Sequence, residues 1–139
     1  MRRLLVGCAV VVLAGLIAGL SATQKSEEAA ESSAREWLAL VDSGKYAASW
    51  KEASQLFKAN VSQEQWEKTM RANRVPLGAV QGRKLMSATY ATSLPGAPDG
   101  EYVVIKYESS FEHKKAAVET VTPMLDKDGH WRVSGYFIK

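Results

Sequence analysis

Residues 118–139 read VETVTPMLDKDGHWRVSGYFIK, two long runs rich in β-branched and aromatic residues around Asp126-Lys127-Asp128-Gly129. An aspartate side chain bonds nearby backbone N–H groups at a turn start, and glycine reaches positive φ without a Cβ clash. The four residues therefore predict a type I turn with a following bulge, and the stretch predicts a β-hairpin. Side chains alternate faces along a strand, so Trp131, Val133, Gly135 and Phe137 are expected on one face. Arg132, Ser134 and Tyr136 are expected on the other. The face with Trp131 and Phe137 is the one expected to be buried, since burying a tryptophan is worth about 3 kcal/mol over alanine. Gly135 inside the strand predicts a bulge or a close backbone approach.

Working back from the hairpin, the period is two over Lys84–Leu94, with Met86, Ala88, Tyr90, Thr92 and Leu94 on one face. Pro95–Gly100 is a loop. Tyr102–Phe111 follows as a strand, with Val103, Ile105, Tyr107 and Phe111 on one side. Tyr102 and Val104 make the start of its other side apolar, so that end is covered on both faces or meets a partner chain.

Before Arg83 the period is helical. Ala30, Ala34, Trp37, Leu38 and Val41 share a face, with Ser26 as the expected N-cap and Gly44 as the C-cap. Tyr46, Trp50, Ala53 and Phe57 predict a second helix. Ser62 with Gln65 forms a capping box, and Val61 with Trp66 a hydrophobic staple, for a third helix ending near Asn73 ahead of Pro76. The expected architecture is α+β: three N-terminal helices packed on a four-stranded antiparallel meander.

The 139 residues suggest one domain, covering residues 23–139 after an N-terminal segment. Met1-Arg2-Arg3 precedes an uncharged run, Leu4–Ala22, read as an export signal cut after Ala22 or as an uncleaved membrane anchor. Either reading places the domain outside the cytoplasm, in the periplasm or on the inner membrane facing it. Removing Arg2 and Arg3 leaves 16 basic against 15 acidic residues, so the net charge falls from +3 to +1. No field strong enough for nucleic-acid binding remains. The one cysteine, Cys8, lies inside the apolar run; Leu5-Val6-Gly7-Cys8 looks like a lipid-attachment signal, but most of the run follows the cysteine. The body then has no thiol for a disulfide or metal site.

The order of helices then curved sheet resembles the NTF2-like, or cystatin-like, cone. Trp37-Leu38-Ala39-Leu40-Val41-Asp42-Ser43-Gly44-Lys45-Tyr46, Leu94–Tyr102, Glu119–Gly129 and Trp131–Tyr136 together resemble small exported bacterial proteins built on a single domain of unknown function. That resemblance implies export and one small domain; it carries no activity and no catalytic residues.

Candidate chemistry is sparse. His113 and His130 are the two histidines, both expected in turns, whereas a metal site needs at least three converging ligands. Asp126-x-Asp128-Gly129 resembles the start of a calcium loop, but its twelfth position is Phe137. Asn60-Val61-Ser62 fits a glycosylation sequon, with Ser62 better explained as a cap. Arg71, Arg74, Arg83 and Lys84 gather near the helix-to-strand junction, as a solvated face or an anion site. No cofactor is implied. In a cone, Trp37, Trp50, Trp66, Tyr90, Tyr107 and Trp131 are candidates to line a cavity for a small apolar ligand. Glu119, beside Val121, is the one carboxylate expected near such a cavity and the candidate general base of an enzyme. Three functions stay open: a binding module for a small ligand or another envelope protein, a cavity enzyme, and an assembly protein dimerising through Tyr102–Tyr107.

Overall fold

The computed structural model describes residue 19 and residues 21–139. Cys8 and nearly all of the segment read as an export signal or anchor, residues 1–22, fall outside the described residues. Four α-helices and a short 3-10 turn precede four strands: α1 (Ala22–Asp42), α2 (Tyr46–Lys51), α3 (Gln55–Asn60), α4 (Gln63–Asn73), the turn Val75–Leu77, then β1 (Val80–Ala91), β2 (Tyr102–Phe111), β3 (Lys114–Leu125) and β4 (Trp131–Ile138). The strands form one antiparallel sheet in the order β1-β2-β3-β4, with the helices on one face. The α+β architecture is the expected one.

The long helix α1 starts earlier than the sequence predicts. Its N-cap is Ser21, whose hydroxyl accepts the Gln24 N–H at 3.1 Å while the Gln24 side chain accepts the Ser21 N–H at 2.9 Å. Ser26 lies inside the helix. The five expected apolar positions, Ala30, Ala34, Trp37, Leu38 and Val41, are all buried.

The second expected helix is divided into α2 and α3. Ser54 N-caps α3 by accepting the Phe57 N–H at 3.1 Å, and its own N–H donates to the Val133 carbonyl of β4 at 2.9 Å. A cap residue is free of the helical hydrogen-bond ladder, so its N–H can serve the sheet instead. Helix α4 carries the capping box read from the sequence, Ser62 with Gln65.

Two bulges overturn the expected strand faces. In β1, Leu85 pairs with Tyr107 and Ser87 with Lys106, so Met86 is an extra residue and stands 55% exposed. Ala88 and Tyr90 face the core without Met86, and Arg83 lies on their side of the sheet, opposite Ser109. The strand begins at Val80 and ends at Ala91 rather than spanning Lys84–Leu94. In β4, Thr122 pairs with Gly135 and Pro123 with Val133, leaving Ser134 extra. The Ser134 hydroxyl donates to the Thr122 carbonyl at 2.8 Å within this bulge. A single extra residue inverts every later side chain. Tyr136 therefore turns to the core and Phe137 to solvent, 55% exposed.

The hairpin turn forms as read. The Gly129 N–H donates to the Asp126 carbonyl at 2.9 Å, and Gly129 has φ of 84°. On the outer face of β2, Tyr102 is covered by the chain's own loop: its hydroxyl donates to the Pro98 carbonyl at 2.6 Å.

Candidate functional site

The six aromatic residues expected around a cavity divide between core and margin. Trp37, Trp66 and Tyr107 are buried; Trp50, Tyr90 and Trp131 pack half-buried against the core. Trp37 lies 5.8 Å from Trp66 between ring centroids and meets the edge of Tyr136 at 5.2 Å. The indole N–H groups are taken up within the helical layer: Trp37 donates to the Ser49 carbonyl at 2.8 Å, Trp66 to the Ser49 hydroxyl at 2.9 Å, and Trp50 to the Val61 carbonyl at 2.7 Å. These bonds tie α1, α2 and α4 together. The open spaces are on the periphery. Trp37 and Trp131 border a groove of about 470 Å³ beside α1. Trp66 borders one of about 510 Å³ between α4 and β4, and Tyr107 a recess of about 260 Å³ beside Asp42 and Arg83. None of these three spaces is bordered by more than two of the six.

The chemistry in the interior is ionic. Glu119 is fully buried on the core face of β3. The Arg83 guanidinium grips it with two bonds, Nε to Oε1 at 2.7 Å and Nη2 to Oε2 at 3.1 Å. The Ser109 hydroxyl donates to Oε1 at 2.5 Å, and the Tyr136 hydroxyl donates to Oε2. A carboxylate offers about four lone-pair sites, and four donors occupy them. Arg83 also donates to Asp42 at the end of α1, at 2.8 and 3.1 Å. Arg74 completes the cluster: its Nη2 donates to Asp42 at 3.3 Å and its Nη1 to the Gly78 carbonyl, while its guanidinium stacks 4.7 Å above the Phe111 ring. Two arginines thus balance two carboxylates.

Burial and the adjoining Glu119 charge push the Tyr136 hydroxyl far above the usual tyrosine value, so it stays protonated and donating. Burial works against the charge on Arg83, but its bonds to Asp42 and Glu119 outweigh that and raise its pKa. Every acceptor position of Glu119 thus meets a donor, while one buried donor of the cluster, Arg74 Nε, has no acceptor.

The sequence reading places Glu119 inward, and the structure does the same. Arg83 and Arg74 depart from the expectation of one solvated basic face or anion site shared with Arg71 and Lys84. Arg74 is buried and Arg83 mostly so, whereas Arg71 and Lys84 are exposed. The bulge at Met86 decides the matter for Arg83. In an unbroken strand it would face away from Met86, Ala88 and Tyr90, and no spacing in the sequence marks the extra residue. His113 and His130 are both exposed at turns. Asp128 accepts two bonds from Arg132, at 2.8 and 2.9 Å, and one from the His130 N–H at 3.1 Å. Among the described residues no three metal-ligating side chains gather, and no helix is long and apolar enough to cross a membrane.

The profile of a family described as "Protein of unknown function (DUF4019)" matches residues 33–136. The chain belongs to the DUF4019 family. The match runs from α1 to Tyr136 of β4, so this DUF4019 domain contains Asp42, Arg74, Arg83, Ser109, Glu119 and Tyr136, the whole buried cluster. A comparison with curated proteins found no match.

Proposed function

We propose that this DUF4019 protein is a non-enzymatic binding module of the bacterial cell envelope, and that what it binds is another protein. The observation that carries the reading is the saturation of Glu119. Its four acceptor positions are filled by Arg83, Ser109 and Tyr136, so the one fully buried carboxylate has no free lone pair with which to take a proton from a substrate. The aromatic core supports the same reading. Trp37, Trp66, Phe57 and Tyr136 pack edge to face or tilted within 6 Å, so recognition falls to the surface grooves. The basic start and uncharged run of residues 1–22 support export.

A two-part screen tests this. Protein recovered from the envelope of an expressing bacterium is exposed to chromogenic esters, phosphates, glycosides and amides, and separately to a displayed library of random peptides. No turnover above buffer and enrichment of related peptides are expected. Turnover that disappears in a folded Glu119→Gln variant would make the protein an enzyme and overturn the reading.

A further inference from the structure

An edge strand carries a row of backbone N–H and C=O groups with no ladder partner. The two edges of this sheet are treated differently. On β1, Met86 breaks the register, and Glu27 of α1 accepts the outward N–H of Tyr90 at 3.4 Å. On β4, the N–H of Ser54 closes the start of the strand by bonding the Val133 carbonyl. Past the bulge at Ser134 the edge is open. Val118 and Lys139 exchange both backbone hydrogen bonds at 2.9 Å. Antiparallel alternation then directs the N–H and C=O of Phe137 at β3, and those of Tyr136 and Ile138 away from it. Among the described residues no backbone group of another element meets these outward groups.

They adjoin the groove of about 510 Å³ between β4 and α4. Side chains of both parities border it, Tyr136 and Ile138 from the core face and Phe137 from the outer face, which places the space along the strand's open edge. On α4, Trp66 and Met70 give the opposite wall its apolar part, and Thr69 and Asn73 its polar part. Lys114 and Lys139 stand at its end, and no Asp or Glu side chain borders it.

We propose that this groove receives an extended, acidic segment of a partner protein, which adds to β4 as a fifth strand. The proposal rests on the binding-module reading and gives it a site. Tyr136 and Ile138 present their groups two residues apart, about 6.7 Å, the interval at which an incoming strand presents its own. An acyl chain would fill the apolar wall and leave those N–H and C=O groups buried without partners, which costs about 1–3 kcal/mol for each. The charge selects an acidic segment. Lys114 and Lys139 make no ion pair among the described residues.

The test is a nitrogen-15 NMR titration of the envelope-recovered protein with a capped seven-residue peptide alternating glutamate and valine. Its twin, with lysine for glutamate, is the control. Saturable shifts at the Tyr136 and Ile138 amides are expected, with at least about tenfold slower exchange there and about tenfold weaker binding of the twin. Ile138→Pro removes one outward N–H and no bond to β3, so it should abolish binding while circular dichroism still shows a folded protein. Lys114→Glu should weaken the acidic peptide and strengthen the twin. Unchanged binding by a folded Ile138→Pro protein overturns the proposal. So does no binding of either peptide at millimolar concentration, or occupation of the groove by dodecanoate instead. Peptides from the display screen that bind elsewhere would overturn this site and leave the binding module standing; enzymatic turnover would remove the module itself.

Discussion

Arg83 and Glu119, 36 residues apart in the chain, meet through two parallel hydrogen bonds of 2.7 and 3.1 Å between β1 and β3. The two strands are not neighbours; β2 lies between them and contributes Ser109 to the same carboxylate. Asp42 at the end of α1 holds the other side of Arg83, so the pair also fixes the helix on the sheet.

Breaking this pair should cost more than removing it. Arg83→Leu leaves a fully buried carboxylate without its counter-charge and is expected to destabilise the domain by about 3–5 kcal/mol. Glu119→Leu strands Arg83 less severely, because Asp42 remains. The double variant should lose clearly less than the sum of the two. Urea unfolding of all four proteins in a double-mutant cycle measures the coupling, and simple additivity would contradict the arrangement.

The bulge at Ser134 makes two adjacent aromatic residues unequal. Tyr136→Phe removes one of the four donors to Glu119 and should cost about 1–3 kcal/mol. Phe137→Ser alters an exposed ring and should cost less than about 1 kcal/mol. Equilibrium unfolding of both variants decides; the reverse order would mean that β4 runs without the bulge.

The Asp128 carboxylate titrates low. Its bonds from Arg132 and from the His130 N–H hold it down to about 2, against an ordinary 3.8. A depressed folded-state pKa gives stability that is present above the unfolded value and lost as pH falls through the folded one. Arg132 also donates to Asp126 at 3.1 Å, so Arg132→Ala should lower the thermal midpoint near neutral pH, and the difference should shrink as pH falls from about 4 to about 2. A carboxyl NMR titration of Asp128 should move back toward 3.8 in the variant.

Two glycines share a φ of 74° but not their surroundings. A Cβ on Gly44 meets nothing within 4 Å, so Gly44→Ala should cost only the backbone strain, about 1–2 kcal/mol. A Cβ on Gly78 would stand 2.7 Å from Glu112 Oε2 and 2.9 Å from Glu112 Cβ, and the Gly78 carbonyl also accepts from Arg74. Gly78→Ala should therefore cost measurably more than Gly44→Ala when thermal midpoints are compared.

The sequence by itself determined the local structure. The buried faces of α1 and α4, the Ser62–Gln65 capping box, the Asp126–Gly129 turn and the four-strand order depend on contacts a few residues apart, and short spacings record those. Ser21 and Ser26 show the limit even there: two serines could each cap α1, and the one with Gln24 three residues on does. Where the charges lie was decided by tertiary structure. One extra residue at Met86 turns Arg83 inward, and one at Ser134 exchanges Tyr136 with Phe137, because a single insertion inverts all that follows in a strand. The inward position of Glu119 was legible from alternation with Val121. That its acceptors are all taken was not, since the donors arrive from three strands and are joined by Asp42 from a helix. Whether a buried carboxylate is a base or a brace depends on partners that the chain brings together only when it folds.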